Sequence, residues 1–247
     1  MGAPRFFVNE PLAPTSIGTE VALPAPVVHH ALRVLRLSAG DAITLFTGDG
    51  GEYAATLARA DKRGAWARID AFAAADREPR LAITLVQAVA ASDAMDAVVR
   101  RAVELGVTAI RPVVSERGAR VPSGEQGAKR LQHWRQVAVS ACEQCGRNRV
   151  PDVHDAVPFA DWVRSRPRED SGVVFDAQSD AALASLPAPQ GRLDVLVGPE
   201  GGLTTEEITR ARSAGMRSAR LGPRVLRADT ASLAALTAVN LLWGDFR

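Results

Sequence analysis

The sequence predicts an α/β protein: a small β domain over residues 1–74, then a sheet-and-helix domain over residues 75–247 that binds a small molecule at a strand end. Three observations carry this reading. Short apolar, β-branched runs fill the first 74 residues with one helical interruption. From residue 81 onward strand and helix patterns alternate, as in a parallel sheet with crossover helices. Finally, Asp194 to Glu207 reads as a buried strand, a Gly-rich turn and a helix start in immediate succession.

In the first domain Ala42–Phe46, Glu52–Leu57 and Ala65–Phe72 are strand candidates, and Gly48, Gly50 and Gly51 supply the turn between the first two. A helix is expected over Pro26–Leu37. It would set His29, Arg33 and Arg36 on one face at i, i+4 and i+7, either as a solvated face or as a phosphate-contacting edge. Ala73–Pro79 has no strong pattern and makes a linker.

In the second domain Leu81–Ala88 is the first strand. A helix over Asp93–Leu105 is capped by Gly106, and Val107–Val114 is the next strand. Lys129–Cys145 predicts a longer helix with Leu131, Trp134, Ala138, Ala141 and Cys145 on its apolar face. Gly172–Phe175 and Asp194–Val197 are further strands, and a helix over Thr230–Trp243 stops at Gly244. Cys142 and Cys145 have Cys-x-x-Cys spacing, but they fall late in an amphipathic helix with no other cysteine in the chain. They read as small buried side chains, and no metal site is expected.

Val197, Gly198, Pro199, Glu200, Gly201 and Gly202 are the core of the binding-site reading. Glycines at these points let bare backbone approach a ligand at the carboxyl end of a strand, and Thr204 with Glu207 has the spacing of a capping box. The spacing fits neither the dinucleotide fingerprint nor the P-loop, and Glu200 would repel a phosphate. A cationic or zwitterionic ligand suits that carboxylate better.

A second Gly-containing loop, Arg220 to Ala231, follows another short strand. The pair Gly-Pro-Glu-Gly-Gly and Leu-Gly-x-Arg-Val-Leu-Arg-x-Asp-Thr-Ala closely resembles the signature of the SPOUT methyltransferases. Within these the chain is similar to the RsmE family, which methylates N3 of a uridine in 16S ribosomal RNA. Further motifs in the same order extend the resemblance over nearly the whole chain: Arg5-Phe6-Phe7, His29-His30 through Arg36 with Gly40-Asp41, Ala102 to Val107, and Glu143 to Arg147 with Pro151.

The resemblance implies a PUA-like RNA-binding barrel followed by a SPOUT domain. In the latter, the chain after Gly222 threads an earlier loop in a deep trefoil knot. It also implies S-adenosylmethionine as cofactor, a homodimer, and 16S rRNA within the small ribosomal subunit as partner. Leu221, Gly222, Leu226, Arg227 and Ala228 join Val197 to Gly202 as cofactor-binding candidates. Arg227 and Asp229 are the catalytic candidates: Arg227 to stabilise charge developing on the base, Asp229 to orient Arg227, cap the last helix or accept the N3 proton. Arg5, His29, His30, Arg33, Arg36, Arg117 and Arg147 are candidate RNA contacts. Asp229 replaces the family's usual Glu, and Gly118 a usual Ser.

A net charge of +2, with seven basic and seven acidic residues in the first 74, restricts any RNA surface to a local patch. Scarce aromatics argue against extensive base stacking. No run approaches eighteen apolar residues, so no membrane span is expected, and the N-terminus lacks a signal-peptide pattern, which points to the cytoplasm. Two alternatives stay open: another SPOUT activity such as ribose 2′-OH methylation, and a non-catalytic RNA-binding assembly factor.

Overall fold

The computed structural model describes residues 2–13, 16–61, 64–120, 124–168 and 171–246, with the side chain of Ser92 outside the description. They form two compact units: Met1–Glu78 with Cys142–Val150, and Pro79–Ala141 with Pro151–Arg247.

The first unit holds a five-stranded sheet of β1 (Arg5–Phe7), β2 (Glu20–Ala22), β3 (Ala42–Phe46), β4 (Glu52–Asp61) and β5 (Gly64–Ala73) in the order β1-β3-β4-β5-β2. Only the β1–β3 pair is parallel. Along β4 and β5 buried and open positions alternate, as expected for a sheet with one wet face. Phe6, Ile43, Leu45, Leu57 and Ile69 pack the inner face.

The helix expected over Pro26–Leu37 is shorter and different in kind. An α-helix, α1 (Ala25–His29), passes into a π-helical turn, His30–Val34, in which the Leu35 N–H donates to His30 O at 3.0 Å. Arg36 lies beyond the helix at φ +56°, the one non-glycine residue with positive φ among the described residues. The wider turn and this left-handed residue remove the single-face alignment of His29, Arg33 and Arg36 that 3.6-residue spacing predicted.

The second unit is built on a parallel sheet ordered β12-β10-β11-β6-β7-β8, with β9 also paired to β7. Its strands are β6 (Ala82–Ala88), β7 (Ala109–Val114), β8 (Asp152–Val153), β9 (Val157–Pro158), β10 (Ser171–Phe175), β11 (Arg192–Val197) and β12 (Arg217–Ala219). The helices are α2 (Ser92–Glu104), α3 (Gly124–Cys145), α4 (Phe159–Ser165), α5 (Thr205–Ser213) and α6 (Ala228–Trp243). β6, β10 and β11 are buried along most of their length, as strands covered on both faces are.

Helix α2 ends where expected, with Gly106 at φ +79° just past its C-cap. α3 begins five residues earlier than its apolar periodicity suggested, and buries Leu131, Trp134, Ala138, Ala141 and Cys142. No described helix is long and apolar enough to cross a membrane. The chain fills one side of the sheet through β6, β7 and β8, then crosses to build β10, β11 and β12 on the other. In open parallel sheets ligands bind where the strand order turns back in this way, beyond the carboxyl ends of the strands.

Candidate active site

The cleft sits beyond the carboxyl ends of β10 and β11, with a volume of about 260 Å3. Three segments line it: Phe175–Gln178 after β10, Val197–Leu203 after β11, and the loop from Leu221 into α6. The walls contributed by Val197, Leu221 and Leu226 are apolar, while Asp176, Gln178, Glu200, Arg117 and Arg224 bring polar groups.

The Gly-rich turn is close-packed on one side and open on the other. A Cβ on Gly198 would stand 3.0 Å from Leu203 N, and one on Gly201 would stand 3.2 Å from Arg117 Cβ. Gly202 has φ +69° with nothing within 4 Å of its missing Cβ. Such a backbone favours glycine and leaves the main chain bare toward a ligand.

The capping box forms as its spacing predicted. Thr204 Oγ1 accepts from Glu207 N at 3.2 Å, and Glu207 Oε2 accepts from Thr204 N at 2.9 Å. Glu207 is buried, and its second oxygen accepts Glu116 N–H at 2.9 Å, a partner no local motif signals.

Of the cofactor candidates, Val197, Gly198, Pro199, Glu200, Gly201, Gly202, Leu221, Leu226 and Ala228 line the cleft, whereas Gly222 and Arg227 do not. Phe175, Ala177, Arg224, Val225 and Ala231 line it as well. Glu200 is turned toward the start of α2, where Oε1 accepts Ala91 N–H at 3.1 Å. Arg117, an RNA-contact candidate, borders the cleft and donates to Gly201 O at 3.2 Å.

Arg227 is the exposed N-cap of α6, and among the described residues its side chain makes no hydrogen bond or ion pair. Asp229 lies in the first turn of that helix rather than at its cap. Its carboxylate pairs with Arg101 at 3.4 Å and accepts Thr230 N–H at 2.8 Å.

In the first unit the RNA-contact candidates divide into two groups. His29, Arg33 and Arg36 are exposed, and His30 is half-buried with its ring 5.6 Å from that of Phe6. Arg5 and Arg147 are instead committed inside the unit. Arg5 pairs with Glu52 at 2.6 Å and also donates to Asn148 Oδ1. Arg147, with its side chain only 5% exposed, forms a forked pair with Glu78. The buried, forked Arg147–Glu78 pair turns those donors inward, away from any phosphate.

Glu52 additionally accepts from Arg77 at 3.0 Å and Asn148 at 3.2 Å. These donors, Arg77 foremost, hold its carboxyl down at about 2. Glu143 accepts Phe7 N–H at 3.0 Å while burial pushes its carboxyl up. The Cys142 thiol is pushed up to about 12 by burial. His133, nine positions before Cys142, faces Asp96 at 2.7 Å.

The RNA methyltransferase domain family matches residues 77–240, and the RNA methyltransferase PUA domain family matches residues 23–70. The chain resembles a solved Ribosomal RNA small subunit methyltransferase E from Neisseria gonorrhoeae bound to S-adenosyl methionine. The two are 40% identical, the match covers 100% of both chains, and the TM-score is 0.92. A protein from Legionella pneumophila solved with bound SAM is 31% identical over 100% of both chains, with a TM-score of 0.94. The Ribosomal RNA small subunit methyltransferase E of Mycobacterium bovis is 32% identical across 86% of this chain and 83% of its own. The chain belongs to the RsmE family of RNA methyltransferases.

Proposed function

We propose that this protein transfers a methyl group from S-adenosylmethionine to N3 of a uridine in the 16S rRNA of the small ribosomal subunit. The carrying observation is the three-loop cleft at the ends of β10 and β11, in a chain that matches an S-adenosyl methionine-bound relative from end to end. The cleft suits that cofactor. Gly202 offers open backbone, Val197, Leu221 and Leu226 form walls fit for an adenine, and Asp176 and Glu200 bring carboxylates for a ligand carrying a sulfonium cation.

When bound, S-adenosylmethionine supplies an electrophilic methyl group. The chain's own contribution is position and charge. N3 of a uridine is an imide nitrogen and a poor nucleophile until its proton leaves, so the site must hold the base in line and stabilise the imidate. Orientation of this kind contributes about 7–11 kcal/mol to rate acceleration in well-aligned systems. Arg227, whose side chain has no partner among the described residues, is the donor we assign to the O2 or O4 of the base. Asp229, two residues further on and paired with Arg101, is the candidate acceptor for the N3 proton. His29, Arg33 and Arg36 are the exposed groups we assign to the RNA backbone. The domain boundary near residue 74, closure of the first sheet into a barrel, threading of the chain after Gly222 into a knot, a homodimer and a cytoplasmic location all belong to the same proposal.

The test uses small ribosomal subunits from cells lacking the activity, incubated with the protein and labelled S-adenosylmethionine. Label recovered in 3-methyluridine supports the reading. Label in a ribose 2′-O-methyl nucleoside moves the chemistry to another acceptor atom. Absence of label despite cofactor binding overturns the proposed substrate.

A further inference from the structure

Gln87 is fully buried beneath the cofactor loops, although nothing in the proposed chemistry uses it. It stands near the end of β6, in register with Val197, the last residue of β11. Its Nε2 donates to Ala88 O at 2.9 Å and to Gly198 O at 3.3 Å. Its Oε1 lies 2.5 Å from the hydroxyl of Ser232, itself 2.9 Å from Ala228 O in the first turn of α6. Two carbonyls on one end and a hydroxyl on the other fix which end of the amide is nitrogen. The side chain therefore joins the first residue of the Gly-rich turn to the helix that follows the second cofactor loop.

A buried polar group at an apolar strand end requires partners, because one left unpaired keeps its full desolvation penalty. Gln87 has them all, and two of the three, Gly198 O and the Ser232 hydroxyl, lie on or next to segments that line the cleft. Gly198 is flexible by composition, and the Leu221–Arg227 loop before α6 has no regular structure. Ala91 and Arg117 tie the turn, and Arg101 ties the start of α6, to other segments, whereas the Gln87–Ser232 pair links the turn to α6 itself. We infer that Gln87 and Ser232 are positioning residues that fix the spacing of the two loops gripping S-adenosylmethionine. The inference rests on the cofactor reading given above.

The experiment is calorimetric titration of the full chain with S-adenosylmethionine, with methylation kinetics alongside. Gln87→Leu keeps the volume and removes every bond, Ser232→Ala removes the hydroxyl, and Ser232→Thr restores one. Both losses should raise the Kd and KM for S-adenosylmethionine at least tenfold while kcat at saturation stays within about threefold. The double variant should be no worse than the poorer single one, as expected for two members of one linkage. Ser232→Thr should return affinity to within threefold of the parent. Leu57→Ala, in the core of the first unit, supplies a variant of lowered Tm whose cofactor affinity should not move. A parent chain that binds with Gln87→Leu binding equally well overturns the inference alone, as does an affinity loss in Leu57→Ala matching that of Gln87→Leu. A parent chain that fails to bind at millimolar concentration overturns the cofactor reading as well.

Discussion

Glu207→Gln is an isosteric change with a large expected cost, because a carboxylate accepts at both oxygens and an amide at only one. In the parent chain Oε1 accepts Glu116 N–H and Oε2 accepts Thr204 N–H, each at 2.9 Å, on a side chain that is 7% exposed. A glutamine satisfies one of these donors and turns an NH2 against the other. The loss is one hydrogen bond to a charged acceptor, about 1.5–3 kcal/mol, plus a donor left dry. Removing a negative charge from the first turn of α5 adds about 0.3–1 kcal/mol. The sum, about 2–4 kcal/mol, corresponds to a Tm lowered by roughly 5–15 °C in a protein of this size. Glu206→Gln is the paired control on the same helical turn. Its carboxylate is 70% exposed and reaches only Arg210, so its loss should cost less than about 1 kcal/mol. Urea unfolding of both variants reads the difference directly. Equal midpoints for the two would refute the claim that the buried carboxylate, rather than helix charge alone, holds the loop before α5 to Glu116.

Three further outcomes follow from the same geometry. Arg227→Ala should lower the methylation rate at least a hundredfold with cofactor affinity changed much less, on the scale set by losing one charge-stabilising donor; near-normal turnover would remove Arg227 from the mechanism. Glu52 is held at about 2 against an ordinary 4.5, so its contribution is fully present above about pH 4.5 and is lost as pH falls toward 2. Glu52→Gln should flatten that acid limb in a pH series of unfolding midpoints. With the Cys142 thiol pushed up to about 12, only about one part in ten thousand is thiolate at pH 8. Alkylation of the folded chain followed by peptide mass analysis should therefore leave Cys142 unmodified until denaturant is added.

Features set by neighbours along the chain were legible in the sequence. The strand at Asp194–Val197, the Gly-rich turn and the Thr204–Glu207 box form from residues within a few positions of one another, and all appear as read. The same locality explains the end of α2 at Gly106 and of α6 at Gly244. The helix after Ala25 failed because periodicity counts residues at a fixed 3.6 per turn. The backbone instead inserts a π turn and then a left-handed Arg36, and nothing in the order of side chains marks either. Arg5 and Arg147 illustrate a different limit. Both appear in motifs as open cations, yet Glu52 and Glu78, 47 and 69 positions away, have taken their guanidiniums. Charge in a sequence carries no label saying whether its partner is water, phosphate or another side chain.

The site sets flexible residues where rigidity is needed, and the partners that restore rigidity come from far along the chain. Glycine gives the turn after β11 its open backbone and also the largest conformational entropy to lose on ordering. That turn is held at three points: Gly198 O by Gln87, Glu200 by Ala91 N–H, and Gly201 O by Arg117. Their separations in sequence are 111, 109 and 84 residues. A fourth tie, Glu207 to Glu116 N–H, secures the helix that follows. Each tie acts on backbone or on the side chain of the turn from outside, so none occupies the face at Gly202 that stays clear. The glycines therefore specify where a ligand can approach, whereas Gln87, Ala91 and Arg117 specify how far the loop can move once it has. An in-line methyl transfer needs both, since a displacement near 1 Å at the reacting atoms costs about a hundredfold in rate.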